Sequence, residues 1–284
     1  MSRRDFLAGA GAGVVLTTGC NSSPVPTVTA PVTPTPATTT ADQDLLNFAL
    51  NLQYLEAEFY LRATTGQGLS SADIGASPGT VTGGTQVTFA TPAVQEYALE
   101  LANDELLHVR YLRKQLGSLA VDRPAIDLTG FSGFAATAGI ATAFSPFTDE
   151  NSFIVGAFLF EEVGVTAFHG AANLFTTRAN ATSLASMMAI EAYHSGLLRT
   201  LLAGLATPYP TYANQISTLR AKLGGGNETP VSALSIVAEN NNCAVYERTT
   251  DQVLHILYAT GAGVVARGGF FPDGVNGKIT ATAS

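Results

Sequence analysis

The stretch LANDELLH, residues 101–108, carries a glutamate and a histidine three positions apart, Glu105 and His108. The stretch MMAIEAYH, residues 187–194, repeats that spacing, and in both stretches apolar residues stand at helical intervals around the pair. Side chains three positions apart on a helix share one face, so each pair points its carboxylate and its imidazole in one direction. The duplicated pairs predict two helices of common design.

An upstream repeat accompanies the two Glu-x-x-His stretches. Two further apolar stripes with helical spacing correspond position by position at a constant offset: Leu46, Ala49, Gln53, Glu56 and Tyr60 match Ile154, Ala157, Glu161, Gly164 and Phe168. Each upstream stripe carries a carboxylate and precedes one of the Glu-x-x-His stretches. The sequence therefore predicts two helical hairpins whose acidic and imidazole side chains meet in a shared interior.

Glycine and proline limit the predicted helices. Gly117 is typical of a helix end, and Pro208 cannot continue a helix. We therefore predict an all-α fold, a four-helix bundle over residues 42–206 with long loops, and additional C-terminal helices and a turn-rich tail packed on the bundle over 207–284. The four helices are predicted at residues 44–63, 92–116, 149–178 and 183–205, with a tight turn at 180–182 between the last two.

The shared interior is a candidate metal site. Two Glu-x-x-His helices supply two imidazoles and two carboxylates, and the other two helices supply further carboxylates, a donor set suited to divalent metal ions. Four carboxylates would balance the charge of two such ions. The alternative for any single pair is a surface ion pair on one helix. The candidate ligands are Glu56, Glu105, His108, Glu161, Glu191 and His194.

Three stretches carry a resemblance to a known family: FALNLQYLEAEFY at 48–60, FEEVGVTAF at 160–168 and GGFFPDG at 268–274. They resemble the bacterial ferritin-like family related to plant desiccation-related proteins. The resemblance implies a ferritin-like four-helix bundle in an extracytoplasmic protein. It also implies a centre of two iron or two manganese ions.

One position departs from the pattern that the resemblance implies. In ferritin-like proteins a ligand glutamate commonly stands seven residues before a tyrosine, and counting back from Tyr60 reaches Gln53. An amide binds hard cations poorly compared with a carboxylate. Glu56, one turn later on the same stripe, can take the place of the missing ligand. If it does not, one ion is weakly held, and the site is asymmetric or mononuclear.

Two functions from different classes follow as hypotheses. The first is an exported metalloprotein, a metal-dependent oxidoreductase if it is an enzyme, that handles oxidants or iron during stress. The alternative is a non-catalytic, envelope-anchored structural or desiccation-related protein with a degenerate metal site, which Gln53 favours. An iron-storage cage fits less well, because the extra C-terminal helices, and the N-terminal lipid tether predicted in the next paragraph, would not fit easily into a closed shell.

The N-terminus predicts export. Residues 1–20 contain SRRDFL, which resembles a twin-arginine signal, and end in LTTGC, which resembles a lipoprotein cleavage box with Cys20 as the lipidated residue. Simple cleavage and an uncleaved anchor stay open, because Thr17 stands where an aliphatic residue is usual. Residues 21–41, rich in Thr and Pro, read as a disordered tether. We expect a periplasmic or cell-envelope protein whose lipid anchor binds the membrane.

Charge and side-chain placement complete the sequence predictions. With 22 acidic against 14 basic residues, the net charge of −8 argues against nucleic acid as a partner. The oligomeric state is open, with a homodimer as one arrangement. We expect Glu58 to face solvent. With Cys20 bound to lipid, Cys243 has no disulfide partner and is expected to be a buried small residue.

Overall fold

The computed structural model describes residues 40–140, 143–233 and 235–283. The expected signal segment, Cys20 and nearly all of the expected tether lie outside the described residues. The described helices, in chain order, are α1 Thr40–Thr65, α2 Pro92–Leu116, α3 Gly130–Thr137, α4 Glu150–Ala172, α5 Arg178–Gly204, α6 Tyr209–Leu223 and α7 Thr250–Leu257. Two short strands, β1 Val81–Thr82 and β2 Ile126–Asp127, pair in parallel.

The four long helices form two hairpins. α1 packs along α2, α4 packs along α5, and α1 and α4 join the hairpins. This arrangement confirms the all-α fold and the predicted pairing of helices. The long connection between α2 and α4 also contains α3 and β2, whose residues lack a repeating pattern in the sequence.

The helix α4 lies at the centre of the packing. In the described part of the chain it is the one helix long and apolar enough to cross a membrane, but 89% of its apolar window is buried within the protein. Such a helix is typical of a core element. Its start is fixed by Asp149, whose carboxylate accepts a hydrogen bond from the backbone N–H of Ser152 at 2.8 Å.

Aromatic rings fill the space around α4. Phe160 of α4 packs against Phe59 of α1, Phe131 of α3 and Phe270 of the C-terminal segment, with ring centroids 5.0–5.4 Å apart. Phe270 belongs to the GGFFPDG stretch, and it is fully buried. The C-terminal segment therefore docks on the bundle through its aromatic residues.

The predicted turn between α4 and α5 was placed too late. The helices are separated at residues 173–177, and Asn180 is a buried residue of α5. Its side chain donates to Asp42 of α1 at 2.9 Å, as do the backbone N–H groups of Thr176 at 2.8 Å and Thr177 at 3.0 Å. Although burial raises the pKa of Asp42, these hydrogen bonds outweigh it and lower that pKa well below its usual range. A carboxylate distant in sequence therefore fixes where α5 begins.

Two side-chain expectations were wrong. Glu58 is fully buried, because Arg123 from the loop after α2 folds over it and Arg62 pairs with it at 2.9 Å. Cys243 is exposed and stands at a φ of 55°, in a turn closed by its N–H bonding to the carbonyl of Asn240 at 3.0 Å. Both placements depend on loops whose course the helical pattern does not specify.

The C-terminal helices are joined to the bundle by a buried set of charges that we call the ion network. Its members are Glu162 of α4, Arg199 of α5, Arg220 of α6, and Glu228 and Arg248 of the following loops. Glu228 accepts from Arg220 Nη2 at 2.8 Å and from Arg248 Nη2 at 2.7 Å. Burial is costly for each charge unless it is paired, so the network fixes the C-terminal region in one position.

Candidate metal centre

Four side chains from three helices converge in the interior of the bundle. Glu105 of α2, Glu161 of α4, and Glu191 and His194 of α5 are all buried, and each offers one ligand atom within 4.8 Å of the others. The helical repeat brought these residues to inward-facing stripes, as the sequence predicted. Whether they bind metal stays a prediction.

Glu105 lies between the two histidines. Its Oε2 is 3.3 Å from Nδ1 of His108, and its Oε1 is 3.2 Å from Nδ1 of His194. Each histidine also faces a second carboxylate. Glu191 Oε1 of α5 lies 3.4 Å from His108 Nδ1, and Glu161 Oε2 of α4 lies 3.3 Å from His194 Nδ1. Both Glu-x-x-His pairs therefore face one common space.

Glu56 of α1 reaches the same space. A Cβ atom at Gly164 would lie 2.5 Å from Glu191 Oε2 and 3.1 Å from Glu56 Oε1, so both carboxylates converge beside this glycine. Gly164 is the position that matches Glu56 in the repeat of the two hairpins. Because Gly164 of the second hairpin has no side chain, the carboxylate of Glu56 from the first hairpin can occupy that volume.

Gln53 shares this part of the site. Its amide Nε2 donates to Glu56 Oε2 at 2.5 Å and to Glu191 Oε1 at 3.0 Å. The resemblance implied a ligand glutamate at position 53. The amide that stands there instead donates hydrogen bonds to one oxygen each of Glu56 and Glu191. The departure noted in the sequence is therefore located at the Glu56 side of the centre.

Two further side chains orient the candidate ligands. Asp104 Oδ2 lies 3.2 Å from Nε2 of His194, which turns Nδ1 of that ring toward the interior. The hydroxyl of Tyr60 donates to Glu161 Oε1 at 2.5 Å and leaves Oε2 directed into the cluster. Sequence reasoning named Tyr60 but missed Asp104, because its carboxylate crosses between helices and no spacing along α2 reveals it.

Burial and neighbouring charges shift the pKa values of the carboxylates and imidazoles in the cluster. Burial raises the pKa of Glu191 to about 8, and the negative charges of Glu105 and Glu161 add to this effect. Burial and the neighbouring Glu191 likewise raise the pKa of Glu56 well above its usual range. Burial opposes the charged form of His108, but Glu105 outweighs it and raises the pKa of that imidazole to about 10. Without metal, protons balance the charges of the cluster.

The cluster contains polar atoms that the protein itself does not satisfy. Glu105 Oε1, Glu161 Oε2, Glu191 Oε2 and His194 Nδ1 are buried without a well-aligned hydrogen bond, although Glu105 Oε1 and Glu161 Oε2 share His194 Nδ1 as a neighbour at 3.2 and 3.3 Å. Buried polar groups are rarely left without a partner, because losing their hydration costs about 1–3 kcal/mol each. A set of carboxylate oxygens and an imidazole nitrogen, all facing one space, fits iron or manganese ions. The residues present therefore suit a metal centre.

Comparison with known proteins identifies the family of the chain. Residues 41–204 match the sequence profile of the ferritin-like domain family. The chain is 28% identical to the ferritin-like catalase Nec2 of Nesocodon mauritianus, over 84% of this chain and 85% of that protein. It is 27% identical to the desiccation-related protein PCC13-62 of Craterostigma plantagineum, over 75% of this chain and 76% of that protein.

Proposed function

The chain belongs to the ferritin-like domain family, and from that premise we propose that it removes hydrogen peroxide at a centre of two iron or manganese ions. The reaction is disproportionation, in which two hydrogen peroxide molecules give two water molecules and one dioxygen. The name of the relative Nec2, a ferritin-like catalase, supports this choice of reaction. The protein is then a metal-dependent oxidoreductase.

The observation that carries the proposal is the set of unsatisfied buried ligand atoms. Six side chains would hold the ions: Glu56, Glu105, His108, Glu161, Glu191 and His194. The bound ions would supply redox chemistry by accepting electrons from one peroxide and passing them to the next.

The protein's own residues prepare the site. Asp104 holds the ring of His194, and Tyr60 holds Glu161, so that both ligands are oriented before any ion binds. The buried rings of Phe59 and Phe153 pack against Tyr60, Phe160 packs against Phe59, and together they keep water away from that side.

Peroxide consumption tests the proposal directly. The purified full chain, reconstituted with Fe(II) or Mn(II), is expected to consume hydrogen peroxide and to release one dioxygen for every two peroxides. Metal-free protein is expected to be inactive, and added metal is expected to restore the activity. A reconstituted protein that binds the ions and releases no dioxygen would contradict peroxide removal.

A second candidate has one specific observation in its favour. Gln53 places an amide donor on Glu56 and Glu191, which satisfies part of the polar interior without metal. This favours a non-catalytic, desiccation-related protein with a degenerate site, and the relative PCC13-62 bears that name. Such a protein would keep its full thermal stability when metal is removed, whereas an occupied centre would lose stability on chelation.

We also propose that the protein is exported and anchored in the cell envelope by a lipid on Cys20. The twin-arginine stretch SRRDFL and the LTTGC box support this proposal. The twin-arginine route carries folded proteins, so the metal would be acquired in the cytoplasm. The Thr and Pro-rich residues 21–41 would then separate the bundle from the membrane.

Replacement of Cys20 tests the anchor. The Cys20→Ser protein is expected to leave the membrane fraction and appear as a soluble protein after export, because the lipid can no longer be attached. Cell fractionation with an antibody measures this distribution, and Cys243→Ser is the matched control that keeps the lipid site. Membrane association that persists in Cys20→Ser would refute lipidation.

A further inference from the structure

The candidate ligands divide into two groups. The inner position is defined as Glu105, Glu161 and His194, and the outer position as Glu56, His108 and Glu191. Glu105 also lies beside His108, and Glu191 also lies within 4.8 Å of the inner ligand atoms, so both carboxylates stand between the two positions. The two groups come from a near-repeat in the sequence, and their surroundings differ in three respects.

The first difference is a carboxylate behind one histidine. Asp104, directly before the glutamate of the first Glu-x-x-His pair, reaches across to Nε2 of His194 at 3.2 Å. The matched residue of the second pair is Ile190, which has no acceptor to offer to His108. In the described residues both carboxylates beside the His108 ring, Glu105 and Glu191, lie at Nδ1, and none lies within ion-pair distance of its Nε2. Among the described residues, the inner histidine therefore has a carboxylate at Nε2, behind the ring, and the outer histidine has none.

The second difference is an amide donor at the outer position. Gln53 Nε2 donates to Glu191 Oε1, which is also the oxygen nearest to His108. The same Nε2 donates to Glu56 Oε2. An ion at the outer position would compete with these hydrogen bonds. At the inner position Tyr60 donates one hydrogen bond, to Glu161 Oε1, whereas at the outer position the single amide of Gln53 binds both Glu56 and Glu191.

The third difference is access. A cleft of about 690 Å³ lies between α2 and α5, and its walls include His108, Ile190, Leu107 and Met187. His194 is not among its lining residues. The cleft is wide enough for a small molecule and mainly apolar. One histidine of the outer position thus borders the cleft directly, whereas the inner position meets the cleft only through Asp104, the carboxylate behind His194.

We propose that the inner position retains its ion and that the outer position exchanges its ion and is the one reached by molecules from the cleft. This inference rests on the proposed function and assigns its two ions different roles. A carboxylate behind a metal-binding histidine fixes the ring and raises its basicity, and losing one typically weakens metal affinity about 10–100-fold. The two ions are therefore expected to bind with affinities that differ by about 10–100-fold.

Titration with Mn(II) alone tests the inference. Free Mn(II) is followed by its paramagnetic resonance signal in solutions of the metal-free full chain. The unchanged protein is expected to show two classes of binding. Ile190→Asp, at a position 36% exposed, is expected to tighten the weaker class about 10-fold by supplying the missing carboxylate. Ile190→Ala removes the same apolar side chain without adding a charge and is expected to leave both classes unchanged.

Asp104→Asn provides the reciprocal variant. It is expected to weaken the tighter class about 10-fold or more and to leave the weaker class in place. Two ions of equal affinity in the unchanged protein, or equal weakening of both classes in Asp104→Asn, would overturn the inference while the proposed function stands. Absence of binding of both Mn(II) and, in the same titration with Fe(II), of iron would overturn the proposed function itself, and the two failures are therefore distinguishable.

Discussion

Replacement of Glu191 by glutamine is expected to lower peroxide turnover by about 100-fold or more, since a direct ligand should matter at least as much as the groups behind it. The expected loss arises because an amide cannot replace the charge of a carboxylate that lies between His108 and Gln53. Metal bound per chain, measured by elemental analysis, should fall together with turnover. Glu100→Gln, at an exposed position of α2, is the charge-matched control and should behave like the unchanged protein.

The same variant separates function from stability. Because the pKa of Glu191 is about 8, this side chain is mostly protonated in the metal-free protein at neutral pH, and glutamine has nearly the same shape. Its stabilising protonation is fully present below its unfolded pKa near 4.5 and is lost as the pH rises through about 8. Metal-free Glu191→Gln should therefore unfold at or above the usual temperature at neutral pH, with a weaker decline between about pH 4.5 and 8. Marked unfolding at neutral pH would contradict this account.

Removal of the charge of Glu228 is expected to be the most destabilising single change outside the metal centre. Glu228→Gln would leave Arg220 and Arg248 without their shared carboxylate, in a region where both guanidinium groups are buried. Breaking a buried ion pair by removing one partner typically costs about 3–5 kcal/mol. Urea unfolding of the full chain measures the loss as a lower midpoint.

An exposed ion pair supplies the control for Glu228. Lys278 is 68% exposed and lies 3.9 Å from Asp44, so Lys278→Gln should change the free energy of unfolding by less than about 1 kcal/mol. If Glu228→Gln and Lys278→Gln had equal effects, the ion network would not be what holds the C-terminal helices on the bundle.

The helical pattern was sufficient for the bundle and for the inward-facing ligands. The repeated Glu-x-x-His spacing, together with the constant offset between the two upstream stripes, placed Glu105, Glu161, Glu191 and His194 on stripes that the structure brings within 4.8 Å. Such a pattern works because apolar periodicity fixes which face of each helix is buried. The family resemblance and the family comparison then agree on the fold.

The helical pattern of the sequence does not predict polar contacts between residues that are distant in the chain. Asp42 sets the start of α5 from a position 134 residues before Thr176, and Arg123 buries Glu58 from 65 residues away. Asp104 supports His194 across 90 residues. Each contact depends on how loops and helices pack in three dimensions, and no local spacing in the sequence encodes it.

Metal content of the folded chain tests the central claim most directly. The full chain, purified without metal and dialysed against saturating Fe(II) or Mn(II), should bind two ions per chain above the dialysate by elemental analysis, and Glu191→Gln should bind fewer. A folded chain that retains no ion under these conditions would contradict the claim that the buried carboxylates and imidazoles form a metal centre.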